Sequence, residues 1–386
     1  MNRREFLGMA ALLPWLGTFS AEALAAAATP RSHQRILVLV KLAGGNDGLN
    51  TLIPYTDPLY YQHRPTIAIQ KHQIVDIGQN TGMNPYLKAL QPWWAKGNMA
   101  WVQGVGYPHE SLSHFRSSDI WETAVDATSY SDRGWLGGLL PGCKPGLHGI
   151  SIGDSTGPMT GKDCNTIAMQ SPQTFLSQIN MLEEMGAGGA LRGGNAVLAH
   201  LGNVYQQLYA TGAQLSEKLQ RPTPLGVNFS TSEVGRDLES VAKMILSGVD
   251  ATVYMVTLGG FDTHSSQNGV QSNLLHQLAG ALDSFAQAMQ RGGRWNDVML
   301  MTYSEFGRRV QENHAKGTDH GAASVQLVMG GKVRGGIYGD KPDLAHLDAD
   351  GNLQHTTDFR AVYGTVAQRW LGQPNPWGQF GTLPFV

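Results

Sequence analysis

Ile36-Leu37-Val38-Leu39-Val40-Lys41-Leu42, followed at once by Ala43-Gly44-Gly45-Asn46-Asp47-Gly48, decides the fold. The first seven residues are apolar except for Lys41 and do not alternate, which predicts a strand buried on both faces inside a parallel sheet. Glycines beside the acid let the chain turn sharply where the strand ends. Two later stretches repeat the arrangement. Thr252 to Leu258 runs into Gly259-Gly260-Phe261-Asp262-Thr263-His264, and Val298 to Tyr303 runs into Ser304-Glu305-Phe306-Gly307-Arg308, with Asp319-His320-Gly321 further on. In an open α/β sheet, functional groups gather outside the carboxyl ends of the strands. The three ends therefore predict one site, metal-dependent in its chemistry, assembled from residues far apart in sequence.

Working outward, Leu274, Leu275, Leu278, Leu282, Phe285 and Met289 fall on one face of a helix. That helix lies between the Thr252 and Val298 strands, so the two strands are expected to be parallel and to deliver their acidic ends to one edge. Met99 to Val105 and Val325 to Met329 read as further strands. Ser113 to Ala124, Ala196 to Leu219, Glu233 to Leu246 and Asp358 to Leu371 read as helices, the last capped by Thr356-Thr357. The stretch from 130 to 194 is rich in glycine, proline, serine and methionine, and reads as an irregular insertion that covers the site. The fold class that follows is α/β, a doubly wound, mostly parallel sheet sandwiched by helices, in a single domain over residues 29–386.

Composition narrows the function. With 386 residues, 41% of them hydrophobic, the chain can bury a large core. A formal net charge of −2 gives no electrostatic grip on nucleic acid or an anionic membrane. Arg3-Arg4-Glu5-Phe6-Leu7, the apolar stretch to Leu16 and the small residues of Ala21 to Ala28 read as a twin-arginine export signal over residues 1–28. The expected location is the periplasm, with the twin-arginine translocase as partner during export. No other run approaches the roughly 20 apolar residues of a spanning helix, so stable membrane embedding is not expected. Cys143 and Cys164 read either as a disulfide or as two buried thiols.

Several residues carry candidate chemistry. Asp262 and His264 are two apart, so an extended chain points both to one side. A carboxylate with an imidazole suits Zn²⁺, Mn²⁺ or Fe²⁺ better than Ca²⁺ or Mg²⁺; the alternative is a turn cap followed by a solvated loop. Asp47 reads either as a ligand or as an acid bonding neighbouring amides. Glu305 and Arg308 form either an ion pair or a metal and anion site, and Asp319 stands where it can orient His320. Ser113, beside His114 at a predicted helix start, reads as an activated nucleophile or as an ordinary N-cap. One metal-centred site explains these signals jointly.

Gly44-Gly45-Asn46-Asp47-Gly48-Leu49-Asn50, Ser113-His114-Phe115, Gly260-Phe261-Asp262-Thr263-His264, Ser304-Glu305-Phe306-Gly307-Arg308, Asp319-His320-Gly321 and Thr357-Asp358-Phe359-Arg360 together carry a resemblance. With these motifs the chain resembles the bacterial twin-arginine exported family called domain of unknown function 1501, related to the alkaline phosphatase and sulfatase superfamily. The resemblance covers almost the whole chain after the signal. It implies an alkaline phosphatase-like fold, one or two divalent metal ions, and hydrolysis or transfer of a small anionic phosphate or sulfate ester or of a polysaccharide ester. By the same resemblance Asp47, Asp262, His264, Glu305 and His320 match ligand positions and Ser113 the nucleophile; in a site so built, His114 or Arg308 is expected to steady the anionic transition state. Phe306 stands where the superfamily has a ligating histidine, and the Asp262 to His264 spacing is tighter than usual. Cys143-Lys144-Pro145-Gly146-Leu147 lacks the arginine of the formylglycine sulfatase signature. A non-catalytic periplasmic binding protein, acting in envelope or polysaccharide biogenesis, is the alternative.

Overall fold

A computed structural model of the chain describes residues 35–140, 147–161, 165–184, 196–220 and 223–386. Residues 1–28, read as an export signal, and both cysteines lie outside the described residues. A nine-stranded sheet organises the rest. Its strands are β1 (Ile36–Leu42), β2 (Met99–Gly106), β3 (Gly149–Ile152), β4 (Thr166–Met169), β5 (Val253–Leu258), β6 (Val298–Tyr303), β9 (Ser324–Gly330), β10 (Gly336–Tyr338) and β11 (Thr357–Asp358). The two-residue strands β7 (Gly307–Arg308) and β8 (His320–Gly321) pair with each other in a separate ribbon. Across the main sheet the order is β10-β2-β9-β6-β1-β5-β3-β4, with β11 also on β2.

β1 is the centre because it can afford no wet face: all of its residues but Lys41 are buried. It pairs in parallel with β5 on one side and β6 on the other, Leu42 opposite Leu258 and Lys41 opposite Tyr303. The three strand ends expected to converge therefore lie side by side. β9 is antiparallel to both of its neighbours, β6 and β2, and alone runs against the others, which keeps the sheet mostly parallel.

Alternation along β1 separates two cores. Ile36, Val38, Val40 and Leu42 join the cluster containing helices α4 (Glu233–Leu246) and α5 (Gln267–Arg291). Leu37 and Leu39 join the opposite cluster, with Ile120 and Trp121 of α1 (His114–Thr123) and Phe359, Val362 and Tyr363 of α6 (Phe359–Thr365). Each fully buried aliphatic side chain is worth roughly 1.5–3 kcal/mol over exposure. Helices α2 (Pro172–Glu184) and α3 (Ala196–Leu219) complete the major elements.

Three expectations change. The stretch from 130 to 194 is not simply irregular: among its described residues it supplies β3, β4 and α2, and Ile150, Ile152, Ile167 and Met169 are core. Strands of only four residues are too short for their pattern to stand out among glycines. α5 begins at Gln267, seven residues before its apolar stripe, because its first turns bury Gln267 and Gln271 instead. α6 is capped by Asp358, whose side chain accepts from the Arg360 N–H, and not by Thr356 or Thr357.

The loop from β2 to α1 is tied down by Tyr107 and Glu110. The Tyr107 hydroxyl accepts from the Ser111 N–H at 3.0 Å and lies 3.1 Å from Ser117 Oγ, while Glu110 Oε1 accepts from the Tyr107 N–H. Glu110 keeps some exposed surface, but its carboxyl is tucked inward. Burial, reinforced by the charges of Asp348 and Asp358, pushes that carboxyl up to about 8. A raised carboxyl favours folding below its unfolded value and loses that contribution as pH rises through its folded value. Glu110→Gln keeps the accepting oxygen, so it is expected to raise the melting temperature by about 2–4 °C at pH 9 and by almost nothing at pH 5, as read by calorimetry.

Candidate metal centre

Two glycines shape the entrance to the site. Gly44 and Gly45 follow β1 with φ of +118° and +81°, which L side chains rarely adopt. A Cβ at Gly44 would strike the Phe261 and Asp262 backbone, and one at Gly45 would strike the Phe306 ring. Ser304 stitches the neighbouring strand ends, its Oγ donating to the Leu42 carbonyl at 2.6 Å and accepting from the Asn46 N–H at 2.9 Å.

Three imidazoles and one carboxylate meet at this edge. His114 opens α1, His264 follows β5, His320 sits on β8, and Asp262 lies between them. His114, Asp262 and His320 each offer one ligand atom, all within 4.8 Å of one another. His264 Nε2 is 3.0 Å from Asp262 Oδ1 and 3.0 Å from His320 Nε2, and His320 Nε2 is 3.1 Å from the same Asp262 oxygen. His114 Nε2 approaches Asp262 Oδ2 at 3.5 Å.

The other ring nitrogens face acceptors. His320 Nδ1 lies 2.8 Å from the Leu112 carbonyl, which can only accept, so Nδ1 carries the proton and Nε2 of the neutral ring a lone pair. His114 Nδ1 is 2.9 Å from Glu305 Oε1, and His264 Nδ1 is 3.4 Å from Asp319 Oδ1. Asp319 is itself held by the Asn313 amide at 3.1 Å. That bond first, and the bond to His264, outweigh partial burial and hold its carboxyl below the usual range. Two Nε2 lone pairs 3.0 Å apart repel each other unless a proton or a cation lies between them. Carboxylates and carbonyls behind imidazoles are the usual outer partners of metal-binding histidines.

Asp262 is kept ionised. Burial alone would raise its carboxyl, but the hydrogen bond and charge of Arg308, with His320 and His264 beside it, outweigh that and hold it at about 2. Nitrogen donors with one carboxylate fit a borderline transition ion such as Zn²⁺, Mn²⁺ or Fe²⁺.

Not every expected residue joins this cluster. Asp47 is buried and taken up elsewhere: Oδ1 caps the helical turn Gly48–Thr51, and Oδ2 accepts from Arg64 at 2.6 Å and Gln267 at 2.5 Å. Arg308 is also turned inward. Its guanidinium donates to the carbonyls of Gly44, Gly45, Phe261 and Thr318 and to Asp262, and it is 2% exposed, so it straps the loops and does not present itself to an anion. Glu305 is buried behind His114, with Oε1 also accepting from the Gly44 N–H at 2.8 Å. Ser113 is exposed at the N-cap of α1 and makes no capping hydrogen bond.

Two features were not anticipated. His114, expected to steady a transition state, stands with Asp262, His264 and His320; its place one residue after a predicted helix start was the available signal. Phe306, which reads as a lost ligand, packs its ring against His114 and His320, with centroids 4.9 and 4.4 Å away. Nothing in the sequence singled out Arg64 as the partner of Asp47.

No protein of curated function matches the chain in sequence. Among solved structures it is similar to a phosphonate monoester hydrolase from Silicibacter pomeroyi, with 9% identity, 91% of this chain and 76% of that one covered, and a TM-score of 0.44. It is also similar to the C-terminal periplasmic domain of EcEptC from Escherichia coli in complex with Zn, with 11% identity, 90% and 84% covered, and a TM-score of 0.40. A sulfatase, PsFucS1 from Pseudoalteromonas sp., aligns with 9% identity, 91% and 70% covered, and a TM-score of 0.37.

Asp47→Asn removes one half of a buried ion pair and leaves Arg64 unneutralised. It is expected to lower unfolding stability by roughly 3–5 kcal/mol in urea titration of metal-free protein. A loss below about 1 kcal/mol would mean that the Asp47 carboxylate is not a structural partner. Residues 100–373 match the family described as "Protein of unknown function (DUF1501)", and the chain belongs to that family.

Proposed function

We propose that the chain is a hydrolase or transferase for phosphate or sulfate esters, dependent on one divalent metal ion and working in the periplasm after twin-arginine export. The observation that carries this reading is the convergence of His114, His264 and His320 on Asp262, with each Nδ1 turned to an acceptor. Asp47 and Glu305, the acids a second ion would need, are engaged with Arg64 and His114. A divalent ion held by Asp262 and the imidazoles would supply Lewis acidity toward an ester oxygen.

The chain's own residues do the rest. Asp262, kept ionised, balances the charge of the ion. Glu305, Asp319 and the Leu112 carbonyl fix the imidazoles, so little reorganisation is needed on loading. Ser113 is the nucleophile of this reading: its hydroxyl has no capping bond and stands at the positive end of α1, where an anionic ester is favoured. Among the described residues no helix is long and apolar enough to cross a membrane.

A binding protein on the same scaffold is the second reading. Arg308 favours it, because an inward guanidinium leaves that residue unable to neutralise a developing charge.

Elemental analysis of purified protein is expected to find about one equivalent of a transition metal, with affinity lowered most in His320→Ala and about 10–100-fold in Glu305→Gln. On a panel of phosphate and sulfate esters, Ser113→Ala is expected to lower kcat at least roughly a hundredfold while retaining the metal. Metal-loaded protein inactive on every ester would favour the binding reading, and protein that takes up no metal would remove the basis of the first.

A further inference from the structure

A cavity of about 450 Å³ opens beside the first turns of α5, within the range of small-molecule sites. Asn268, Ser272 and His276 line it from successive turns of one helix face, and Gln73 and Tyr86 join them from earlier segments of the chain. Ala68, Ile69 and Pro85 supply the apolar part of the wall. Among the described residues no acid, lysine or arginine lines the space. Its chemistry therefore suits a guest that needs no counter-charge, unlike the candidate metal centre. A neutral molecule with hydroxyls on its edge and an apolar face matches such a wall.

Polar groups on a surface signify little by themselves, because water satisfies them. Here the Ser272 hydroxyl, the Asn273 amide and the Tyr86 hydroxyl form no hydrogen bond with other described residues, so all are available to one guest. Tyr86 is 47% exposed although its ring is large. Gly269, which also lines the cavity, adds an independent observation. Glycine weakens a helix relative to alanine. This one sits in the first turn of α5 without a positive φ, and a Cβ there would meet nothing within 4 Å. Neither the backbone nor the packing of the chain calls for glycine at this position, whereas close approach of a guest does. The rings decide against a flat aromatic guest, which stacks on parallel faces. Tyr86 and His276 are nearly perpendicular, at 82°, with centroids 6.4 Å apart.

We propose that this cavity binds a neutral pyranose sugar. The C–H face of the ring lies on Tyr86, its hydroxyls meet Ser272 and Asn273, and Gly269 gives it room to approach the helix. The site does not depend on the histidine centre holding a metal or on the ester chemistry proposed there.

Isothermal titration of the full chain in EDTA tests it, with cellobiose, maltose, lactose and N,N′-diacetylchitobiose as neutral probes and adenosine as a flat aromatic one. At least one sugar is expected to saturate a single site, with adenosine weaker than that sugar. Tyr86→Ala and Asn273→Ala, both at exposed positions, are each expected to weaken it roughly fivefold, the effect of about one lost hydrogen bond. Gly269→Ala is expected to raise the melting temperature and yet weaken the sugar by a similar factor. That pairing separates a guest's need for glycine from a structural one. The proposal is overturned if none of these sugars saturates, if adenosine binds more tightly than every sugar, or if folded Gly269→Ala and Asn273→Ala bind as the wild type.

Discussion

A buried arginine holds the candidate centre together. The Arg308 guanidinium donates to carbonyls in the turn after β1, in the turn after β5 and in the loop before β8, and to the Asp262 carboxylate. A cation removed from water is tolerated only when its donors are satisfied, so these loops are held in the one arrangement that satisfies them. Arg308 pairs across the small ribbon with His320, which sets that histidine beside Asp262. Positioning of the candidate ligands and burial of the arginine are thus one constraint.

The same economy appears around the imidazoles. Glu305 is buried, yet its Oε1 meets both His114 and the Gly44 backbone, so one acid orients a ring and closes the turn after β1. Ser117 on α1 donates to the Glu305 carbonyl, which locks the helix bearing His114 to the end of β6. Phe306 then fills the space behind two rings. Beneath the edge, Asp47 and Arg64 form a second buried pair, surrounded by Gln267, Asn50 and Gln271, that fastens α5 to the turn after β1.

Much of this was legible in the sequence because of the strands. An apolar run such as Ile36 to Leu42 has few alternatives to a central parallel strand, and three such runs ending in acids pointed to one edge. That Asp262, His264 and His320 meet at one edge was readable for that reason. Side-chain direction was not. Asp47 and Arg308 have the residue types and positions of site groups, but whether they face solvent or the interior depends on partners such as Arg64 and the loop carbonyls, which lie far away in sequence. The short strands β3 and β4 were hidden by their length, and the first turns of α5 by buried glutamines, which a search for apolar periodicity passes over.

X-ray absorption on Zn²⁺-loaded protein tests the central claim most directly, because it reads the ligands themselves. The account predicts a first shell of nitrogen and oxygen at about 2.0–2.1 Å, with outer scattering from imidazole rings that falls by one ring in His320→Ala. A shell of oxygen alone, or imidazole scattering unchanged by that substitution, would contradict it.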